Sequence, residues 1–542
     1  MTVTESKPEE VAPDEGVTPA HPALPPAPPR GLAGILGTAD HKTVGRLYLG
    51  VSLVLLIVFL GMSTLIAAEG IDASTLGPLT ENTFFQVWTL SQVGVFFLGL
   101  IPALLGLALC VVPLQVGAST IAFPRAAAAS FWGWLLGGGV LVGAYLANGG
   151  PIGGTDDAVK LFLVAWAMVL GSLALAAVCV IATVITGRTA GMSLMRVPVF
   201  SWSMLVSASV WLFHCAALLG NLLLVFVDTA NDQVLYGLPE YRWGQLSWIL
   251  GQPAVLGFAI PLLGVLMDAT IVSARVRPAR YGVILGAVGA AAALTFGAYA
   301  QTAFNPDLVR QPMFVLQSLV LLLPLLAFLG GVADTLKRGR PRPTSAMLVG
   351  VAGLLLLLGA TAAGALYAIE PLNLSFTVWE AGVTKAAAAA TLCAVAAGVF
   401  HWGSKIWGHR VAEPLGKLVF LVLLGGGALF AAGDLIAGAN GQLAPSVDGT
   451  VETIADGAEF GALLSAVGGG LLVLGTLLVV LAVLPAVLRT GPKADADPWG
   501  GQTLEWTTSS PPPFGNFRGP IPEVTSSSPL LDMHEAAAKE IS

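Results

Sequence analysis

The run Gly244-Gln-Leu-Ser-Trp-Ile-Leu-Gly-Gln-Pro-Ala-Val-Leu-Gly-Phe-Ala-Ile-Pro261 carries no charged residue. A helix needs about 20 predominantly apolar residues to cross the hydrocarbon core of a bilayer, and with its neighbours this run supplies them. It is one of twelve such segments, near residues 45–68, 88–113, 130–148, 160–186, 201–228, 245–270, 281–303, 312–335, 345–369, 378–402, 414–437 and 460–488. In lipid every backbone polar group must be satisfied within the segment, so these are expected to be helices. Their many Gly and Ala residues let helix backbones approach closely. The expected fold is an all-α polytopic membrane protein built as a bundle of twelve transmembrane helices.

Composition agrees. Of 542 residues, 55% are hydrophobic and 11% charged, against about a quarter charged in soluble domains, and the mean hydropathy is +0.81. No basic patch interleaved with aromatics exists, which leaves nucleic-acid binding without support. The four cysteines, Cys110, Cys179, Cys215 and Cys393, stand singly in apolar runs and read as small buried side chains. Residues 1–37 are rich in Pro, Glu and Ala and read as a disordered arm. Residues 38–490 hold the helices, and 491–542 form a polar tail.

Orientation follows from the basic residues. Loops after the even-numbered helices hold Arg125, Arg188, Arg196, Arg275, Arg277, Arg280, Lys337, Arg338, Arg340, Arg342, Lys405, Arg410 and Lys417, whereas the opposite loops are mainly acidic. The positive-inside rule therefore places both termini in the cytoplasm, and the expected location is the bacterial cytoplasmic membrane.

Several loops carry motifs. Asp40-His41-Lys42 leads into the first helix. Val112-Pro113-Leu114-Gln115-Val116-Gly117-Ala118 and Phe123-Pro124-Arg125 link the second and third. Arg188-x-x-Gly191-Met192 precedes Arg196-x-Pro198-x-Phe200-x-Trp202, and Glu413-Pro414-Leu415-Gly416-Lys417 opens the eleventh. The tail carries Asp497-Pro498-Trp499-Gly500, Leu504-Glu505-Trp506 and Ser509-Ser510-Pro511-Pro512-Pro513. In this order and spacing, over roughly residues 38–530, the chain resembles haem-copper oxidase subunit I, the cytochrome c oxidase subunit I family. The opening run is similar to that family's sixth helix, with Leu246, Trp248, Gly251, Pro253 and Pro261 kept.

The resemblance implies reduction of oxygen to water coupled to proton pumping, with two haems and copper held by six membrane-embedded histidines, a ligand type that suits both iron and copper. Carried over position by position, those histidines fall on Ser91, Gln252, Gln301, Thr302, Gly382 and Thr384. The entrance aspartate falls on Thr120, the relay glutamate on Ala254, the redox tyrosine on Leu256, and the eighth-helix lysine on Phe328. The propionate-holding arginine pair falls on Gly441 and Gln442. Of the chain's six histidines, only His214 is a candidate within the membrane.

Three readings follow. In the first the chain binds no cofactor and serves as a structural, assembly or regulatory subunit of a respiratory membrane complex, beside subunit II- or III-like partners and lipid. In the second it is an active haem-containing oxidase with unusual ligands, or with a single haem on His214. In the third it is a proton or small-solute carrier, resting on Lys385 and the mid-membrane amides Gln252, Gln301 and Asn221. His214 is otherwise expected to face the bundle and hydrogen-bond a neighbouring helix. Lys385 is otherwise expected to snorkel outward towards Glu380 or Glu370. Asp228, Asp268 and Asp334 are expected at the interface. The small residues Ala386–Ala390 and 286–293 are expected to let helices ten and seven close over the haem region.

Overall fold

The computed structural model describes residues 31–72, 79–233, 235–236, 238–300, 312–445, 455–533 and 535. It divides into two compact units, Met1–Thr38 and Ala39–Ser542. In the first, Leu32–Leu36 forms a short helical turn. The second holds, among the described residues, twelve helices long and apolar enough to cross a membrane. We label them α1 (His41–Glu69), α2 (Thr83–Gln115), α3 (Pro124–Leu146), α4 (Asp156–Thr186), α5 (Val199–Ala230), α6 (Arg242–Ala274), α7 (Tyr281–Tyr299), α8 (Pro312–Arg338), α9 (Ser345–Tyr367), α10 (Trp379–Trp407), α11 (Glu413–Ala439) and α12 (Ala458–Val487). The twelve expected spans are all present.

Hydrophobicity without a polar face marks a helix as interior. The most apolar stretches of α2 and α6 are wholly buried and that of α10 nearly so, while α1 and α8 are largely uncovered. These three helices form the core around which the rest are arranged. Glycine brings backbones together at two seams. On α1/α2, a Cβ at Gly106 would meet Tyr48 at 2.7 Å. On α11/α12, a Cβ at Gly433 would run into the Gly461 carbonyl, and one at Gly468 into the backbone of Phe430.

The opening stretch is not the continuous helix expected over 245–270. Helix runs over Pro239–Ser247, tightens at Trp248–Leu250, leaves helical geometry at Gly251, and resumes as short turns at Ala254–Ala259 before Pro261–Ala274. Pro253 and Pro261 lack the N–H that an unbroken helix needs. Irregular backbone at this depth is tolerated where protein covers it, and Gln252, Ala254 and Leu256 are all buried.

The small-residue runs of α10 and α7 pack differently. On α10 Ala386–Ala390 are buried, and Ala389 lies 2.8 Å from a Cβ built on Gly427 of α11. On α7 the run has two faces: Ala287, Val288, Ala291 and Ala292 are buried, while Gly286 is exposed with open space beside it.

Candidate functional site

Polar side chains gather in three places: around Gln252, around Lys385, and at the end of the bundle where the even-numbered helices finish, which we call the basic end.

Around Gln252, the break in α6 presents an amide where the expected metal centre would lie. Gln252 is 1% exposed, and its Nε2 donates at 3.5 Å to Ser318 Oγ of α8. Thr384 Oγ1 of α10 donates to the carbonyls of Leu250, at 2.8 Å, and Glu380, at 3.1 Å. Glu380 accepts hydrogen bonds from the Gln252 backbone and the Tyr367 side chain. The structure thus brings Gln252 and Thr384 together through backbone carbonyls and amides. Ser91, 2% exposed, donates to the Trp88 carbonyl of its own helix. Ala254, Leu256 and Phe328 are buried in the apolar core. Gln442 ties the loops, accepting from Ala455 N at 2.9 Å. Gln301 and Thr302 lie outside the described residues.

His214 is fully buried, with Nδ1 3.0 Å from the Tyr299 hydroxyl and its ring among Trp248, Phe296 and Tyr299. A partner on a neighbouring helix was expected, but Tyr299 was not singled out. Its Nε2 has no hydrogen-bond partner among the described residues.

Lys385 departs from expectation. Its Nζ does not reach out to Glu380 or Glu370 but inward to Asp434 of α11, 2.7 Å from Oδ2 and 2.8 Å from Oδ1. It also donates at 3.2 Å to Ser465 Oγ of α12 and lies over the Phe430 ring. Ser465 in turn donates to Asp434 Oδ1 at 2.9 Å. The cause is proximity: Ser465 stands between Gly461 and Gly468, where the glycine seam brings α11 and α12 together. The signal missed in the sequence is Asp434, a lone acid in an apolar segment, which needs a cation.

At the basic end the tail is a buried part of the structure. Gln115, at the end of α2, donates from Nε2 to Asp268 Oδ2 of α6 at 2.8 Å and to Glu505 Oε1 of the tail at 3.0 Å. Its Oε1 accepts from the Ser201 hydroxyl at 2.7 Å, and Trp402 Nε1 donates to Glu505 at 3.3 Å. Glu505 is fully buried, and this desolvation holds its carboxyl above the ordinary range. Asp268 is 5% exposed, covered by Gln115 and the start of α5. It accepts the backbone N–H groups of Val199 and Phe200 at the start of α5, where a helix favours an anion.

Around this centre, Lys405 Nζ donates to the Ala496 and Thr508 carbonyls at 2.5 and 2.6 Å. His41 Nε2 and Lys42 Nζ both lie 3.1 Å from Asn516 Oδ1. Burial is the largest single influence on Asp40 and opposes its ionisation, yet Lys42 at 2.9 Å, His41 and the Thr43 hydroxyl together hold its carboxyl below the usual range. The motifs around His41, Gln115, Glu505 and Lys405 are therefore joined at one end of the bundle.

The sequence pattern of the family described as Cytochrome C and Quinol oxidase polypeptide I matches residues 43–471. The chain is 28% identical to the putative cytochrome c oxidase subunit 1-beta of Streptomyces avermitilis, over 96% of this chain and 95% of that one. It is 27% identical to the heme-copper oxidase subunit I+III of Aeropyrum pernix, over 92% of this chain and 63% of the relative. A solved structure of a heme-copper terminal oxidase dimer shares the fold at a TM-score of 0.69 and 14% identity, covering 92% of this chain and 89% of that one.

These matches correct the expectation that no cofactor is bound. The Aeropyrum pernix relative is by name a heme-copper oxidase, and the matched family is that of the cytochrome c and quinol oxidases. The physical reason is that missing imidazoles speak to ligation of the metal, while a haem ring is also held by burial of its large apolar face. The expectation is withdrawn. The residues described do not fit the usual ligand set: hydroxyls, an amide and a glycine stand at Ser91, Thr384, Gln252 and Gly382, and no group of three or more His, Cys, Asp or Glu among the described residues is placed to hold a metal ion. What these side chains offer is hydrogen bonding, and no reaction step through haem or copper follows from them.

Proposed function

The chain belongs to the Cytochrome C and Quinol oxidase polypeptide I family, and from that premise we propose that it is a subunit I-like protein serving a structural, assembly or regulatory role in a respiratory membrane complex. It is a multi-pass bacterial membrane protein. Oxygen reduction is not its task in this reading, since function resides in the site and not in the fold.

The carrying observation is the contrast at Gln252. The buried amide bonds to Ser318, and Ala254 and Leu256 beside it are apolar. A buried chain of titratable groups there would move protons; an amide, an alanine and a leucine cannot exchange them. The clamp of loops and tail at the basic end supports the reading, because it keeps the surface a partner subunit would meet. The charge bias supports placing that end in the cytoplasm.

The closed pairing of Lys385 with Asp434 and Ser465 favours a three-helix staple over a carrier site. The test is deletion of the chain in its host, with partner subunits followed in native membranes. Loss of a copurifying oxidase subunit, restored by Gln252→Ala as well as by the unchanged chain, is the expected result. Normal assembly of every respiratory complex without the chain would refute the proposal.

A further inference from the structure

At the basic end, a cavity of about 560 Å³ opens between the α2–α3 loop, the end of α4 and the tail. Its lining includes Ser119, Thr120, Arg188, Thr189, Phe517 and Gly519, and it contains no carboxylate. Gly117, in the left-handed region at φ +77°, turns the loop so tightly that a Cβ would come within 2.8 Å of Thr189. Beyond that turn the backbone N–H groups of Ser119, Thr120 and Ile121 find no acceptor among the described residues. The hydroxyls of Ser119, Thr120 and Thr189 make no hydrogen bond there either.

Arg188 is fixed in place. Its Nε donates to the Met192 carbonyl at 3.0 Å and its Nη1 to that of Val184 at 2.6 Å, while Nη2 has no partner among the described residues. Arg518, between the lining residues Phe517 and Gly519, and Arg125, just past the loop, are exposed and form no ion pair there. Successive unpaired amides, free hydroxyls and a held guanidinium are the donors that a tetrahedral oxyanion needs. Phe123, 61% exposed at the foot of α3, sets this rim beside an apolar surface.

We propose that this cavity binds a phosphate group, carried by the headgroup of an anionic phospholipid or free in solution. Arg188 supplies a charge-assisted donor, the 119–121 loop supplies amides and hydroxyls, and Arg125 and Arg518 supply the flanking field. The apolar rim at Phe123 favours the lipid-borne source, whose acyl chains would lie along α3 and α4.

The test uses the full-length chain in neutral detergent, titrated with short-chain phosphatidylglycerol, a phosphate-free glycolipid and inorganic phosphate. Phosphatidylglycerol is expected to bind and the glycolipid is not. Thr120→Asp, on an exposed loop, is expected to weaken binding about tenfold or more, as 1.4 kcal/mol of lost interaction would. Arg188→Gln is expected to do the same, and Arg410→Gln, which lies outside the cavity lining, to change nothing. Competition by inorganic phosphate would identify the site with the free ion as well, and its absence with the lipid alone. Equal binding by the glycolipid, or undiminished binding by both Thr120→Asp and Arg188→Gln, would overturn the proposal.

Discussion

The α6 break and the basic end treat buried polarity in opposite ways. Around Gln252 the polar groups are mainly amides and hydroxyls, with the carboxyl of Glu380 held by the Gln252 backbone and the Tyr367 side chain. At the basic end, carboxylates, ammonium groups and imidazole are buried together and bridged by Gln115, Asn516 and Lys405. Burying charge is expensive unless it is paired and hydrogen-bonded, so the basic end holds a costly, specific network while the α6 region carries none of comparable charge. The frame of the fold is maintained where the loops and tail meet. At the ligand positions described, the side chains are the hydroxyls of Ser91 and Thr384, the amide of Gln252 and the glycine Gly382.

That contrast can be broken at the ion pair between α10 and α11, whose side chains are 20% and 16% exposed. Asp434→Ala would leave Lys385 uncompensated and is expected to destabilise the bundle by about 3–5 kcal/mol. The double change Lys385→Met with Asp434→Leu should recover most of that loss. Thermal unfolding in detergent measures both, and a neutral Asp434→Ala would show that the pair is not the staple described.

A smaller effect is expected at the tail. Gln115→Ala removes the donor shared by Asp268 and Glu505, which keep their other donors, so a loss of about 0.5–1.5 kcal/mol for each hydrogen bond removed is expected. Limited proteolysis should then cut the tail after residue 490 faster, with the helices intact.

The tail also carries a pH dependence. Because the folded carboxyl of Glu505 is held above its unfolded value, its contribution is complete below the ordinary glutamate range. It is lost as pH rises through the elevated folded value, since the unfolded chain releases its proton first. Protease resistance of the tail should fall with rising pH over that window, and Glu505→Gln should flatten the response. A response that persists in Glu505→Gln would assign it to another group.

The smallest effect is expected at Ser91. Its hydroxyl serves only its own helix, so Ser91→Ala should change stability by no more than about 0.5 kcal/mol, within the range of substitutions that break no special feature. A loss of several kcal/mol would mean that the position still holds something.

Much of this was legible in the sequence. Twelve apolar runs of sufficient length, separated by charged loops, fix the spans. The motifs around Gln115, Arg188 and Glu505 mark the family. What could not be read was depth and pairing. Asp268 stands only a few residues from the end of its helix, and nothing in the local sequence shows that α5 and the tail cover it. Asp434 passes as one more acid near a helix end until the α11/α12 glycine seam brings Ser465 beside it. The break at Gly251 follows from two prolines whose effect depends on neighbours able to cover open backbone. Identity at the ligand positions could be read as Ser91, Gln252, Gly382 and Thr384, but what a large apolar ring gains from burial could not be read from missing histidines.

The central claim is that this member of the oxidase family does not itself reduce oxygen. The most direct measurement is oxygen uptake by the full-length chain purified with its native partners, supplied with reduced cytochrome c or a quinol. The account predicts uptake no greater than that of the same preparation lacking the chain, and unchanged by Gln252→Ala. Sustained uptake that requires the chain and is abolished by Gln252→Ala would contradict it.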